Sequence, residues 1–123
     1  MVKKPLTDPP ACTANLLAMT DTLDILGGKW KLLILHYLIL RENEINTFKK
    51  IEKDLNGISA KVLSKELKDL EAHRLISREV QETKPVTVAY AITEYGKTTN
   101  ELINILVEWG RNHRIQLLSD EMK

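Results

Sequence analysis

Asn56-Gly57-Ile58-Ser59-Ala60-Lys61-Val62-Leu63-Ser64-Lys65-Glu66-Leu67-Lys68-Asp69-Leu70-Glu71-Ala72-His73 is the stretch on which the fold turns. Asn56-Gly57 breaks a helix, because glycine supplies the left-handed backbone that a helix end needs. Ser59 then carries the hydroxyl that caps a new one, and the spacing predicts a helix from Ser59 to about His73. At about 100° per residue, Leu67 and Leu70 fall within roughly 40° of Leu63. Lys61, Lys65 and Lys68 share a sector about 60° wide on the opposite side, with Ser64 beside them. Glu66 and Asp69 are read on one flank and Glu71 on the other, clear of the lysines. One face anchors to a core, and the other offers ammonium groups and a hydroxyl.

Upstream, Thr47 to Leu55 reads as a shorter helix with Phe48, Ile51 and Leu55 facing inward. Two helices joined by a short glycine-containing turn form a helix-turn-helix unit. Before the polar joint Glu42-Asn43-Glu44, a helix from about Lys29 to Arg41 is apolar nearly all round. Trp30, Leu33, Ile34, Tyr37 and Leu38 form one stripe, and Leu32, Leu35, Ile39 and Leu40 cover much of the rest. Such a helix is expected to be a buried strut, with His36 making one internal hydrogen bond. Asn15 to Leu26 is a further helix, with Leu16, Met19, Leu23 and Leu26 at helical spacing. Residues 1–11 hold Pro5, Pro9 and Pro10 and read as a flexible arm. Downstream, Ile76–Glu82 and Val86–Ile92 read as strands joined at Thr83-Lys84-Pro85. Val86, Val88, Tyr90 and Ile92 alternate with Thr87, Ala89 and Ala91. Thr93 to about Leu118 is helical, with Leu102, Ile105, Leu106 and Trp109 on one face. Residues 119–123 read as a tail, so one domain spans 12–118. The expected fold is mainly α with a small β-hairpin wing, a winged helix-turn-helix.

Composition agrees with a single soluble domain. The chain has 123 residues, 43% hydrophobic and 28% charged, which excludes disordered and disulfide-stapled classes. Eighteen basic against seventeen acidic residues give +1, so the whole-chain charge selects no partner. The longest apolar run, Leu32 to Leu40, is interrupted by His36 and falls well short of the roughly 17–25 residues of a bilayer span. No export signal opens the chain, and one cysteine fits a reducing compartment, so a cytoplasmic location is expected.

The lysine face suits a DNA major groove, which calls for cations against phosphates and donors that reach base edges. A solvated lysine face alone would explain the stripe, but its context is specific. Segment 41–80 holds nine of the eighteen basic residues, with eight acids among them. Lys49, Lys50 and Lys53 project from the preceding helix, and Arg78 and Lys84 lie on the hairpin where a wing would meet backbone phosphate. Ser59, Lys61, Ser64, Lys65 and Lys68 are therefore the expected groove contacts, with Lys49, Lys50, Arg78 and Lys84 as phosphate clamps. The helices at the two chain ends carry apolar residues beyond what one winged helix covers. Leu16, Leu17, Met19, Ile105, Trp109 and Ile115 are the expected dimer contacts.

Gly27-Gly28-Lys29-Trp30, then Phe48, then Gly57-Ile58-Ser59 with Lys61, Leu63, Leu67 and Leu70-Glu71, resembles the HxlR-type winged-helix transcription regulators, small bacterial relatives of the MarR group. Arg78, Pro85, Val88, Tyr90, Thr93, Gly96 and Trp109-Gly110 extend the resemblance from about Cys12 to Arg114. It implies a homodimer on a pseudo-palindromic double-stranded DNA operator. The second helix of the helix-turn-helix would lie in the major groove, and the wing would reach towards the minor groove. It also implies no enzymatic activity and no obligatory cofactor. The chain departs from the family pattern at Thr47, where many members carry Arg, and at Asn56, where Pro is frequent. His73-Arg74 replaces an acidic-Gly pair, and Thr87 and Ala89 stand where Arg or Lys and Glu are common.

Other constellations are thin. His36, His73 and His113 are too scattered to suggest a metal site, and no catalytic carboxylate pair or phosphate loop is present. Some family members sense oxidants or electrophiles through an N-terminal cysteine, which makes Cys12 a candidate redox sensor. A small residue beside a dimer helix is the plainer account. Two further readings stand beside the operator-binding one. The winged helix could serve as a protein–protein module docking on an acidic partner. Alternatively, DNA binding could be switched by an electrophile at Cys12 or by a small molecule between the dimer helices.

Overall fold

The computed structural model describes residues 10–121. The order is α1 (Pro10–Leu26), α2 (Lys31–Leu40), β1 (Asn46–Thr47), α3 (Phe48–Asp54), α4 (Ala60–Ala72), β2 (Ile76–Gln81), β3 (Thr87–Ile92), a 3-10 turn (Gly96–Thr99) and α5 (Asn100–Glu121). The fold is the expected winged helix-turn-helix, with one strand more than the sequence reading found. β1 pairs antiparallel with β3, placing Asn46 opposite Tyr90 and Thr47 opposite Ala89, and the sheet order is β1-β3-β2. This two-residue strand has no periodicity to read. It is held by Asn46, whose side-chain amide donates to the carbonyls of Arg41 and Glu44 and whose Oδ1 accepts from Arg41 Nε.

Ile34, Leu35 and Leu38 of α2, Ile51 of α3, and Leu63, Leu67 and Leu70 of α4 form the core, sealed by Leu75, Ile76, Ile92 and Ile103. Each such side chain contributes about 1.5–3 kcal/mol on burial, so the leucine face of α4 fixes how that helix is rolled. Thr47 caps α3 by accepting from Lys50 N at 3.2 Å, and Ser59 caps α4 by accepting from Val62 N at 3.1 Å. Gly57, between them, has φ +96°. α4 ends in a Schellman arrangement: Leu75 N donates to Leu70 O and Arg74 N to Glu71 O. Arg74 is therefore forced to φ 63°.

Several expectations need correction. α1 begins at Pro10 rather than Asn15, so the last two residues of the expected arm are helical, and residues 1–9 lie outside the described residues. α2 is not buried all round, since Leu33 and Leu40 face outward. His36 Nδ1 is buried but has no hydrogen-bond partner among the described residues. Burial in the second strand does not follow the expected alternation: Ala89, read on the opposite face, is buried together with Ile92, whereas Val86 is exposed. Ala89 lies on the middle strand with neighbours on both sides, and the hairpin's far end stands away from the body. The last helix is preceded by the 3-10 turn, with Thr93 Oγ1 accepting from Gly96 N at 2.9 Å. Its buried anchor is Ile103, which the expected stripe omitted. It also runs past the expected end at Leu118 to Glu121.

Candidate nucleic-acid interface

Rolling α4 by its leucines points the opposite face outward. Lys61, Lys65 and Lys68 are all exposed and Ser64 is half-buried. β2 and β3 then bring the hairpin alongside. Arg78 lies directly opposite Tyr90 across the ladder, so both project to the same side of the sheet. Between helix and hairpin runs an open cleft of about 480 Å³. It is lined by Lys49, Ser64, Lys68 and Arg78 together with Thr47, Phe48, Thr87, Val88 and Tyr90. Four expected contacts from three separate elements thus meet in one concave surface. Lys61 and Ser59 lie outside the cleft, at the N-terminal end of α4, and Lys84 sits in the turn at the hairpin tip.

The expected cations differ in availability. Among the described residues, none of Lys49, Lys61, Lys68, Arg78 and Lys84 is held in an ion pair. Lys50 is: its Nζ lies 3.2 Å from Asp54 Oδ2, which also accepts from Tyr37 Oη at 2.6 Å. The Tyr37 hydroxyl and the Lys50 ammonium hold the Asp54 carboxyl below its usual range. Partial burial, reinforced by Asp54, pushes the Tyr37 phenol up to about 12. Lys50 is therefore engaged within α3 rather than standing free for phosphate, while the Tyr37–Asp54 bond ties α3 to α2.

Lys65 is also engaged, which corrects the expectation that the flanking acids stand clear. Its Nζ lies 3.1 Å from Asp69 Oδ2 and 3.7 Å from Glu66 Oε1. The Asp69 carboxylate raises the Lys65 ammonium above its ordinary range, and Lys65 in turn holds Asp69 below its own. Residues 65 and 69 are four apart, the spacing that brings such groups together on a helix. Glu66 turns the other way: it is 8% exposed and pairs with Lys31 of α2, itself 9% exposed, at 3.1 Å. Sequence reasoning missed this pair, although Glu66 lies only about 60° around the helix from Leu63. Thr47, Phe48, Thr87, Val88 and Tyr90 were missed as cleft residues because the hairpin register is set by pairing across the sheet.

The expected dimer contacts form a second surface. Leu16, Leu17, Met19, Ile105, Trp109 and Ile115 are all exposed, Trp109 at 66% and Ile105 at 57%. Among the described residues, Leu26 is the one buried side chain of α1 and Ile103 that of α5, with Ile25 and Leu102 half-buried beside them. Cys12 is exposed in the first turns of α1. Among the described residues no helix is long and apolar enough to cross a membrane, and no group of three or more His, Cys, Asp or Glu could hold a metal ion.

Comparison with known proteins fits this geometry. The model of the HxlR-like helix-turn-helix family matches residues 25–117. YybR of Bacillus subtilis, an uncharacterised HTH-type transcriptional regulator, is 34% identical over 93 residues, covering 76% of this chain and 72% of that protein. YtcD of the same organism, described in the same terms, is 32% identical over 104 residues, covering 85% and 80%. Among solved structures, the redox regulator HypR in its reduced form aligns with a TM-score of 0.72 at 31% identity, covering 83% of this chain and 98% of that one. These relatives are transcription regulators, not enzymes. The chain belongs to the HxlR-like helix-turn-helix family of DNA-binding transcription regulators.

Proposed function

We propose that the protein regulates transcription as a homodimer on a pseudo-palindromic operator, with α4 in the major groove and the β2–β3 wing on the backbone and minor groove. The observation that carries this is the cleft between α4 and the wing, where Lys49, Lys68 and Arg78 converge with no carboxylate paired to them among the described residues. A concave cationic surface of this kind follows a phosphate backbone. Ser64 at the cleft, with Lys61 and Lys65 on the exposed face of α4, reads base edges. Lys49, Lys68, Arg78 and Lys84 fix register on the phosphates.

The dimer follows from the outward apolar residues of α1 and α5. Six large apolar side chains on two protruding helices need a partner surface. A two-fold mate covers them and sets two copies of α4 about 34 Å apart, one turn of DNA. A gel-shift titration with duplexes selected from a random pool tests the reading. Enrichment of a two-fold symmetric motif supports it. Absence of binding at low salt overturns it, and binding to an acidic protein with no enriched motif makes the domain a docking module instead.

One observation favours an added redox switch: Cys12 is exposed on α1, and HypR is a redox regulator by name. An oxidant taking two electrons from the Cys12 thiols of two protomers would join them as a disulfide and release two protons. Duplex affinity before and after an oxidant pulse, in wild type and Cys12→Ser, separates the cases. Equal loss in both clears the cysteine.

A further inference from the structure

Lys31 lies in the first turn of α2, on the far side of α4 from the cleft, yet its ammonium reaches the charged edge of that helix. Nζ donates to Glu66 Oε1 at 3.2 Å and Oε2 at 3.1 Å, and lies 3.4 Å from Asp69 Oδ2. The same Asp69 oxygen accepts from Lys65 at 3.1 Å. Four charges thus form a network, Glu66–Lys31–Asp69–Lys65, closed by Lys65 at 3.7 Å from Glu66 Oε1, that runs from the protein interior to the exposed face. Its inner end is fixed: the side chains of Lys31 and Glu66 are 11% and 10% exposed, and neither moves without depriving the other of its buried partner. Its outer end is loose, since the Lys65 side chain is 70% exposed and tied by a solvent-facing pair of the weakly held kind.

We propose that Lys31 is a positioning residue for DNA recognition: it retains Asp69 while Lys65 exchanges that carboxylate for DNA. The proposal rests on the reading of α4 as the DNA-contacting helix. In the free protein Asp69 occupies Lys65 as a phosphate would. When a duplex approaches, Lys65 swings outward, and Asp69 keeps a cationic partner in Lys31 and stays turned away from the polyanion. Without Lys31, release of Lys65 would strand two neighbouring carboxylates, those of Glu66 and Asp69, beside the phosphates. Lys65 would then be held back by both, and its release to DNA would cost more.

The test is a cycle of duplex affinities measured with the full chain. Lys31→Met is expected to weaken binding about two- to fivefold, the scale of a surface ion pair that must be broken. Asp69→Asn in that background should recover most of the loss, because the nearer carboxylate, at 3.1 Å from Lys65 against 3.7 Å for Glu66, then no longer competes. In a Lys65→Ala background, Lys31→Met should have little further effect. Lys31→Arg should bind like wild type. Should Lys31→Met fold poorly, Lys31→Met/Glu66→Leu removes both ends of the buried pair and leaves the same Asp69→Asn rescue to be measured. Additive losses in the Lys65→Ala background, or no rescue by Asp69→Asn, would mean that Lys31 only supports the fold and would overturn the proposal alone. Wild-type protein that binds no duplex would overturn the DNA reading and this proposal with it.

Discussion

Lys68→Ala offers the sharpest test of the cleft. Lys68 is exposed, lines the cleft with Arg78 and Lys49, and has no ion-pair partner among the described residues, so its whole charge is available to phosphate. Each lysine–phosphate contact contributes about 0.9 to the slope of log affinity against log salt. A two-fold dimer carries two copies, so the substitution should lower that slope by about 1.8. Between 50 and 200 mM salt, the wild-type advantage over the variant should therefore shrink roughly twelvefold. Lys50→Ala provides the contrast. That ammonium already neutralises Asp54 at 3.2 Å, so its removal should change the slope by less than half as much. The assay is fluorescence anisotropy of a labelled duplex at four or more salt concentrations. An unchanged slope for Lys68→Ala, with a large change for Lys50→Ala, would refute the assignment of the cleft to phosphate.

Glu66→Ala should destabilise the fold by about 3–5 kcal/mol in urea unfolding, because it leaves the Lys31 ammonium buried without its main partner. The pair replacement Lys31→Met/Glu66→Leu should lie within about 1 kcal/mol of wild type, and a loss as large as that of the single variant would count against the buried-charge argument. Ile105→Glu or Trp109→Glu should shift the sedimentation coefficient from dimer to monomer and lower operator affinity; an unchanged dimer would move the interface elsewhere. Arg74→Gly relieves a left-handed strain of about 1–2 kcal/mol against a smaller entropy cost in the unfolded chain, so its Tm should rise by a few degrees. A fall in Tm would mean that the Arg74 side chain contributes more than the turn requires.

What could be read from the sequence follows what local spacing controls. Leu63, Leu67 and Leu70 announced the buried face of α4, Ser59 its cap and Gly57 its preceding turn, because each depends on residues within one or two helical turns. The outward face of α4 was legible for the same reason. The inward turn of Glu66 was not, because it depends on Lys31, thirty-five residues earlier in the chain. Its angular position beside Leu70 hinted at burial, and the Lys65–Asp69 spacing of four was also open to reading. β1 escaped notice because a two-residue strand has no pattern; it exists only through pairing with β3 and the bonds of Asn46. The cleft itself required the hairpin register, which sets Arg78 across from Tyr90. The exposure of Leu33 and Leu40 on α2 could not be foreseen from their polarity. An apolar residue facing outward reads the same as one facing inward until the neighbouring helices are in place.

Backbone amide chemical-shift mapping of the isotope-labelled protein against a selected duplex puts the central claim most directly at risk. The account predicts that the perturbed amides cluster at Thr47–Lys49, Ser59–Lys68, Arg78 and Thr87–Val88, while the outer stripe of α5 from Ile105 to Ile115 stays still. Perturbation confined to α5, with the surface between α4 and the wing silent, would contradict it.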